Sequence, residues 1–237
     1  MGIGYSGVER FEPVGKRTKW VYWTFIILAV VNVVSVLSGY AEAGLLNRVI
    51  DGEAITESEA TANDVRQGLI GFAQVILYIA CAVAFLMWIH RAYKNLFSLG
   101  ATDLRFTPGW AVGWFFVPIM FLFRPYQVVS EIWKVGDPKV DLTDGAAWKN
   151  AKTAPIVGWW WAFFLVSNFL GQIVFRMTLG AEEPSELLAS TYTYMVSDSI
   201  DFVGMLITVL MVRQISQFQE AKKNVISSTK FLQEQYQ

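Results

Sequence analysis

Four stretches of this chain are too long and too apolar to be ordinary pieces of a water-soluble core. Residues 20–41, 67–89 and 153–175 contain no Asp, Glu, Lys or Arg, and residues 194–212 contain only Asp198 and Asp201. A bilayer core about 30 Å thick needs roughly 20 apolar residues of helix, each rising 1.5 Å. Hydrocarbon offers the backbone no hydrogen-bonding partner, so such stretches cross as helices. Composition agrees: 54% of residues are hydrophobic and 16% are charged, against about 25% charged in soluble domains. The expected fold class is an all-α membrane protein with four transmembrane helices.

The first stretch follows basic residues and precedes Ala41-Glu42-Ala43, a small-residue pattern of the kind that signal peptidase cleaves. Its apolar run exceeds the roughly 7–15 residues of a signal core, so a retained helix is expected. Cys81 is the only cysteine and His90 the only histidine. That leaves no disulfide framework, and neither a metal nor another cofactor is expected. Basic residues interleave with acids, which argues against a nucleic-acid surface.

Charge placement predicts orientation. Arg10, Lys16, Arg17 and Lys19 precede the first helix, and Arg91, Lys94 and Arg105 follow the second. Between them lie Glu42, Asp51, Glu53, Glu57, Glu59 and Asp64 against Arg48 and Arg66. The positive-inside bias puts the N-terminus and residues 90–108 in the cytoplasm and residues 42–66 outside. A further apolar block, residues 107–123, is split by Pro118 and closed by Arg124-Pro125-Tyr126. If it crossed, Arg124, Lys134, Lys139, Lys149 and Lys152 would lie outside, and the acidic stretch around Glu182, Glu183 and Glu186 inside. Both would break the bias. As one helix from Pro108 to Phe123 it spans only about 24 Å, and Pro118 removes a helix bond within it. A re-entrant or steeply tilted cytoplasmic element is therefore expected.

The tryptophans lean the same way. Residues 20, 23, 88, 110, 114, 133, 148, 159, 160 and 161 all fall on the cytoplasmic half of this arrangement, and the outer rim has only Tyr40, Tyr192 and Tyr194. Aromatic belts normally occupy both interfaces, so a thick inner belt implies helix lying at that surface. Residues 125–135 fit an interfacial amphipathic helix, with Val128, Val129, Ile132, Trp133 and Val135 apolar and Gln127, Glu131 and Lys134 polar. Trp133, Trp159, Trp160 and Trp161 are the expected interfacial or lipid contacts. The chain divides into a cytoplasmic tail (1–19), a first transmembrane hairpin with an external acidic loop (20–90), a cytoplasmic insert (91–153), a second hairpin (154–220) and a cytoplasmic C-terminal tail (221–237). Residues 1–18 and 228–237 are expected to be mobile. Thr56-Glu57-Ser58-Glu59 is a capping-box pattern and Pro184-Ser185-Glu186 a helix start.

Ionisable groups in a membrane helix are functional candidates by default. Asp198 and Asp201, three apart, share a helix face. Asn168, Gln172 and Arg176 recur every four residues on the preceding helix, and Asn32 and Gln74 lie at similar depth. The expected polar cluster is Asp198, Asp201, Arg176, Gln172, Asn168, Asn32 and Gln74. An ion pair from Arg176 to the aspartates, clamping two helices, is its foremost reading, and a solvated pocket or ion path is the other. No nucleotide loop, zinc motif or nucleophile elbow occurs, so no catalytic residue is assigned and no enzyme is expected. His90 reads as an interfacial anchor, and Gly109-x-x-x-Gly113 as a spacing that lets helices approach closely.

One series of residues resembles a known family. Trp88, His90, Arg91, Ala92, Tyr93, Asn95 and Leu96 are followed by the run from Thr107 through Pro108, Gly109, Trp110, Gly113, Trp114 and Pro118 to Ile119. Arg124, Pro125, Tyr126 and Gln127, then Glu131, Ile132 and Trp133, and later Gly158-Trp159-Trp160-Trp161, continue it. This pattern, over roughly residues 70–215, resembles the bacterial membrane family called domain of unknown function 4328. Met120-Phe121 departs from it where a polar residue is expected. The resemblance implies a multi-pass membrane protein and brings no activity, cofactor or catalytic residue. Two functional expectations follow: an accessory, assembly or scaffolding subunit in contact with the lipid bilayer and a larger membrane complex, or a small transporter or channel component acting as a homo-oligomer.

Overall fold

Where each long helix stops follows from its terminal residues. The computed structural model describes residues 10–142 and 144–235, with side chains up to residue 229. It contains α1 (Gly15–Ile50), α2 (Glu57–Ser98), α3 (Pro108–Gly113), α4 (Arg124–Gly136), α5 (Pro155–Gly180) and α6 (Pro184–Gln235), with short 3-10 turns at Met120–Leu122 and Ala147–Asn150. No strand occurs among the described residues.

Gly52 ends α1 at φ 81°, with its own N–H on Val49 O (3.1 Å) and the N–H of Glu53 on Arg48 O (2.9 Å). Gly100 ends α2 at φ 90°, with bonds to Phe97 O (3.1 Å) and from Ala101 to Leu96 O (3.1 Å). Both are Schellman caps, whose left-handed residue favours glycine. α2 starts as its capping box predicts. Glu59 N donates to Thr56 Oγ1 at 3.2 Å, and Thr56 N to Glu59 Oε2 at 2.8 Å. At the start of α6, Glu186 accepts from the N–H of Glu182 at 3.0 Å.

α1, α2, α5 and α6 are each long and apolar enough to cross a membrane. The chain is thus an all-α membrane protein of two helical hairpins and an intervening insert. α1, α2 and α6 outrun at both ends the apolar stretches that mark them, through polar first or last turns, and α5 runs five residues past the end of its stretch. The expected tails shrink accordingly. α1 begins at Gly15, and α6 continues through 221–235 as helix. Residues 1–9, 236 and 237 lie outside the described residues, and the tail expectation for them with it.

The chain forms two compact units, each assembled from both hairpins. Unit 2 comprises Trp23–Cys81 and Ala162–Thr208. Its apolar core includes Leu28, Ala29, Cys81 and Met205, with Phe25, Leu77 and Phe202 packed on them. Gly39 of α1 lies so close to α6 that a Cβ there would sit 2.7 Å from Met195 Cγ, and Gly204 of α6 meets Phe163 Cβ of α5 at 3.3 Å.

Unit 1 comprises the residues up to Tyr22, Ala82–Trp161 and Val209 onward. It contains every tryptophan except Trp23. The block 107–123 is broken as its prolines require: α3 lasts six residues, turns follow, and Ile119 sits at φ 65°. α4 corrects an expectation. Its Val128, Val129, Ile132 and Val135 are fully buried, and Trp133 packs edge-on against Phe218 at 5.2 Å between centroids. The apolar face that reads as interfacial is the core of unit 1. Amphipathicity says that a face is covered, and at the Trp133–Gly136 end Phe218 and Gln219 of α6 lie against it. Gly109 meets nothing within 4 Å and Gly113 meets only the Trp110 ring, so that glycine spacing joins no helices.

The polar edge of α4 is turned inward too. Glu131 is buried, accepts from Tyr93 Oη at 2.6 Å, and lies 3.3 Å from Arg105 Nε. Burial pushes its carboxyl above the ordinary value of 4.5, against the Tyr93 hydrogen bond and Arg105. An acid raised in this way holds its proton more tightly folded than unfolded. Its contribution to stability is present below the ordinary carboxylate range and is lost as pH rises through the raised value. Glu131→Gln is therefore expected to be less sensitive to alkali than the parent. Thermal unfolding across a pH series checks this: the parent should lose stability from about pH 4.5 upward, and the variant should lose less.

Candidate functional site

Three helices of unit 2 each present one polar stripe to a shared interior. On α1 these are Asn32, Ser35, Ser38 and Glu42; on α2, Asn63, Gln67, Gln74 and Tyr78; on α6, Thr191, Tyr194, Asp198 and Asp201. Steps of three, four or seven residues keep each set on one helix face. The side chains bond in successive groups, the rungs of a ladder along the three helices. Near the loop end, Glu42 accepts from Gln67 Nε2 at 2.9 Å, Thr191 Oγ1 at 3.1 Å and Asn63 Nδ2 at 3.3 Å. Arg66 donates to Ser38 Oγ at 2.8 Å and to Asn63 Oδ1 at 2.6 Å.

Deeper, Gln74 is the hub. Its Nε2 donates to Asn32 Oδ1 at 3.0 Å and faces both Asp198 oxygens at 3.3 and 3.2 Å, while Tyr194 Oη donates to Gln74 Oε1. Tyr78 Oη donates to Asp201 Oδ2 at 2.6 Å. Asn32, Gln74 and Asp198 are almost wholly buried, at 1%, 3% and 3% exposure.

The expected cluster therefore divides. Asn32, Gln74, Asp198 and Asp201 come together on α1, α2 and α6. Asn168, Gln172 and Arg176 do not join them: all three are exposed, and Asn168 Nδ2 bonds back to Phe164 O of its own helix at 2.7 Å. The clamp between Arg176 and the aspartates is not formed, since no ion pair joins them among the described residues. The reason is rotational. α5 meets α6 through Phe163 on Gly204, a face that its polar stripe does not share. Only 6% of its apolar window is buried within the fold, against 44% for α6.

The signature residues gather in unit 1 as a structural lock. Trp88, Ala92, Tyr93, Asn95 and Leu96 are fully buried. Asn95 Nδ2 donates to Glu12 O at 2.9 Å and Gln219 Oε1 at 3.2 Å, and Gln219 Nε2 to Ala92 O at 2.8 Å. Arg91 reaches Arg10 O at 3.1 Å and pairs with Glu12 at 3.1 Å. Residues 10–14, expected within a mobile tail, are thus tied down. Trp88 Nε1 donates to Ser216 Oγ at 3.1 Å. Thr107 caps α3 with Pro108 in its first turn, Trp110 and Trp114 lie 4.7 Å apart, and Arg124 stands over the Trp114 and Phe106 rings at 5.4 and 5.6 Å. Pro125 occupies the first turn of α4, and Pro118 and His90 are exposed. Tyr126 lines a cleft of about 410 Å³ with Arg105, Glu131, Lys134, Trp148 and Trp161. Of the expected lipid contacts, Trp159 is 62% exposed, whereas Trp133 and Trp160 are buried at 5% and 3%. Trp160 packs with tilted rings against Phe85 and Trp161, each at 5.7 Å between centroids.

With this arrangement in view, comparison with known proteins is brief. The model of the family described as "Domain of unknown function (DUF4328)" matches residues 51–217. The chain belongs to that family. No curated protein and no solved structure matches it. The matched region takes in the Trp88–Leu96 lock, the insert and most of the ladder, and leaves out α1, which supplies Asn32, Ser35, Ser38 and Glu42.

Beyond Asn32, sequence reasoning left Ser35, Ser38 and Glu42 of α1 out of the cluster, with Asn63, Arg66, Gln67, Tyr78, Thr191 and Tyr194. The signal was present as polar residues at helical spacing inside apolar helices. The geometry predicts opposite outcomes for two substitutions. Gln74→Leu strands Asp198, Asn32 and Tyr194 without their shared partner and should cost about 1–3 kcal/mol. Arg176→Gln should change stability by less than about 0.5 kcal/mol. Unfolding of both purified variants in bicelles distinguishes the ladder from a clamp, which would require the Arg176 variant to be the weaker.

Proposed function

We propose that this chain is a non-enzymatic membrane module, an accessory, assembly or scaffolding subunit of a larger complex in the bacterial inner membrane. The observation that carries the reading is the outward stripe of α5. Asn168, Gln172 and Arg176 are exposed on a helix apolar enough to span a membrane. Polar side chains facing lipid are costly, and membrane helices use Asn and Gln to bond across to other helices. Gly171, one turn from Asn168 on α5, has nothing within 4 Å of a built Cβ, so a partner helix has room to approach the backbone there. A membrane helix with its own polar groups is the occupant that this stripe suits.

The positive-inside bias supports termini and insert on the cytoplasmic side. In that orientation the broken block 107–123 enters the inner leaflet and returns. Its exposed Trp110, Phe116, Ile119 and Phe123 supply the apolar edge that such an element needs. A second reading, a small oligomeric transporter or channel component, draws on the buried ladder of unit 2. Against it stands the apolar cluster of Leu28, Ala29, Cys81 and Met205 packed in the same unit.

Extraction in mild detergent followed by size analysis tests the first reading. The parent should elute with a stoichiometric partner, and Asn168→Leu/Gln172→Leu should elute as a folded chain without it. A parent that runs alone, or as a homo-oligomer with ion flux in vesicles, favours the transporter. Orientation is checked by single cysteines in a Cys81→Ala background: an impermeant reagent added to intact cells should label a cysteine at Glu182 and leave one at Asp144 unlabelled.

A further inference from the structure

Asp198 is a carboxyl in the wrong place for a charge. It is 3% exposed on a helix apolar enough to span a membrane, and no Lys, Arg or His bonds to it or pairs with it among the described residues. The groups facing it are Asn32 and Ser35 of α1, Gln74 and Tyr78 of α2, and Tyr194 and Asp201 of its own helix. Arg66 and Glu42 belong to the loop end of the ladder, where Arg66 is engaged with Ser38 and Asn63. α5 sends it no charged group, because Arg176 is exposed.

The Gln74 amide carries two hydrogens and is shared among three oxygens, those of Asn32 and both of Asp198. Asn32 Nδ2 and Ser35 Oγ of the same cluster are buried without a close hydrogen-bond partner, each residue being only 1% exposed, so that besides Asp201 only neutral groups surround the carboxyl. Asp201, one turn further along α6, accepts the Tyr78 hydroxyl at 2.6 Å on the exposed side of the cluster. Two adjacent carboxylates cannot both stay ionised cheaply in a low-dielectric interior. An isolated buried carboxylate is neutralised rather than left charged.

From this geometry we infer that Asp198 is a proton-binding site. The carboxylate takes one proton from water at the loop end, forming an O–H bond that turns toward the unpartnered Ser35 oxygen. It releases the same proton when the O–H breaks. The Glu42–Gln67–Ser38 group, on the same three helices toward the loop end, is the polar side from which that proton comes. The inference does not depend on what α5 docks against.

Infrared spectroscopy of the full-length protein in lipid nanodiscs, with and without carbon-13 aspartate, tests it. A protonated carboxyl band that moves on labelling should be present at neutral pH and fade as the bath is made alkaline. It should persist in Asp201→Asn and be lost in Asp198→Asn. If Asp198→Asn fails to fold, the Asp201→Asn protein decides alone, since Asp198 is then the last aspartate in the apolar span. Absence of a labelled band there, survival of the band in a folded Asp198→Asn, or a band indifferent to pH overturns the inference.

Discussion

A polar atom in hydrocarbon has no water to fall back on, and most of this structure follows from that. The backbone meets the demand by forming helices, and the glycine caps after α1 and α2 close the carbonyls that the helices leave open. Side chains meet it in unit 2 by facing one another. The Gln74 amide serves three neighbours at once, and Glu42 gathers donors from both α2 and α6. Polar stripes on three helices thereby fix which faces of α1, α2 and α6 turn inward, a choice that apolar helices in lipid cannot make through hydrophobicity alone.

Unit 1 answers a different demand. There the buried polar groups, Asn95, Gln219, Arg91, Tyr93 and Glu131, tie segments distant in sequence to α2. Lys222 does the same for the end of α4, donating to the carbonyls of Asp137 and Val140 at 3.0 and 2.8 Å. The residues on which the family resemblance was read are concentrated among these ties and the broken block beside them. Their tryptophans and prolines are explained by packing and chain reversal before any ligand is invoked.

The two kinds of polar residue on the membrane helices separate cleanly. Those of the ladder are internally engaged, so their role is in binding helices and, at Asp198, in holding a proton. Those of α5 look outward. A helix so little covered by its own chain, yet carrying Asn168, Gln172 and Arg176, is suited to another membrane helix.

How much was legible beforehand depended on whether the determinant was local. Four spanning helices, the capping box at Thr56, the break at Pro118 and membership of the family all follow from residues adjacent in sequence, because length, apolarity and backbone chemistry act along the chain. The α4 face was legible as covered but not as to what covers it. Which polar residues meet was legible only in part: Asn32, Gln74 and Asp198 do meet, but Arg176 and Asp198 suggest an ion pair by charge and depth, and the rotation of α5 about its axis denies it. That rotation is set by contacts such as Phe163 on Gly204, between residues far apart in sequence. The sequence by itself determined that the chain spans a membrane as helices, since transfer to lipid depends on composition segment by segment. Only the tertiary structure decided that Asp198 is paired with an amide instead of a cation, since partners are chosen by helix rotation and packing.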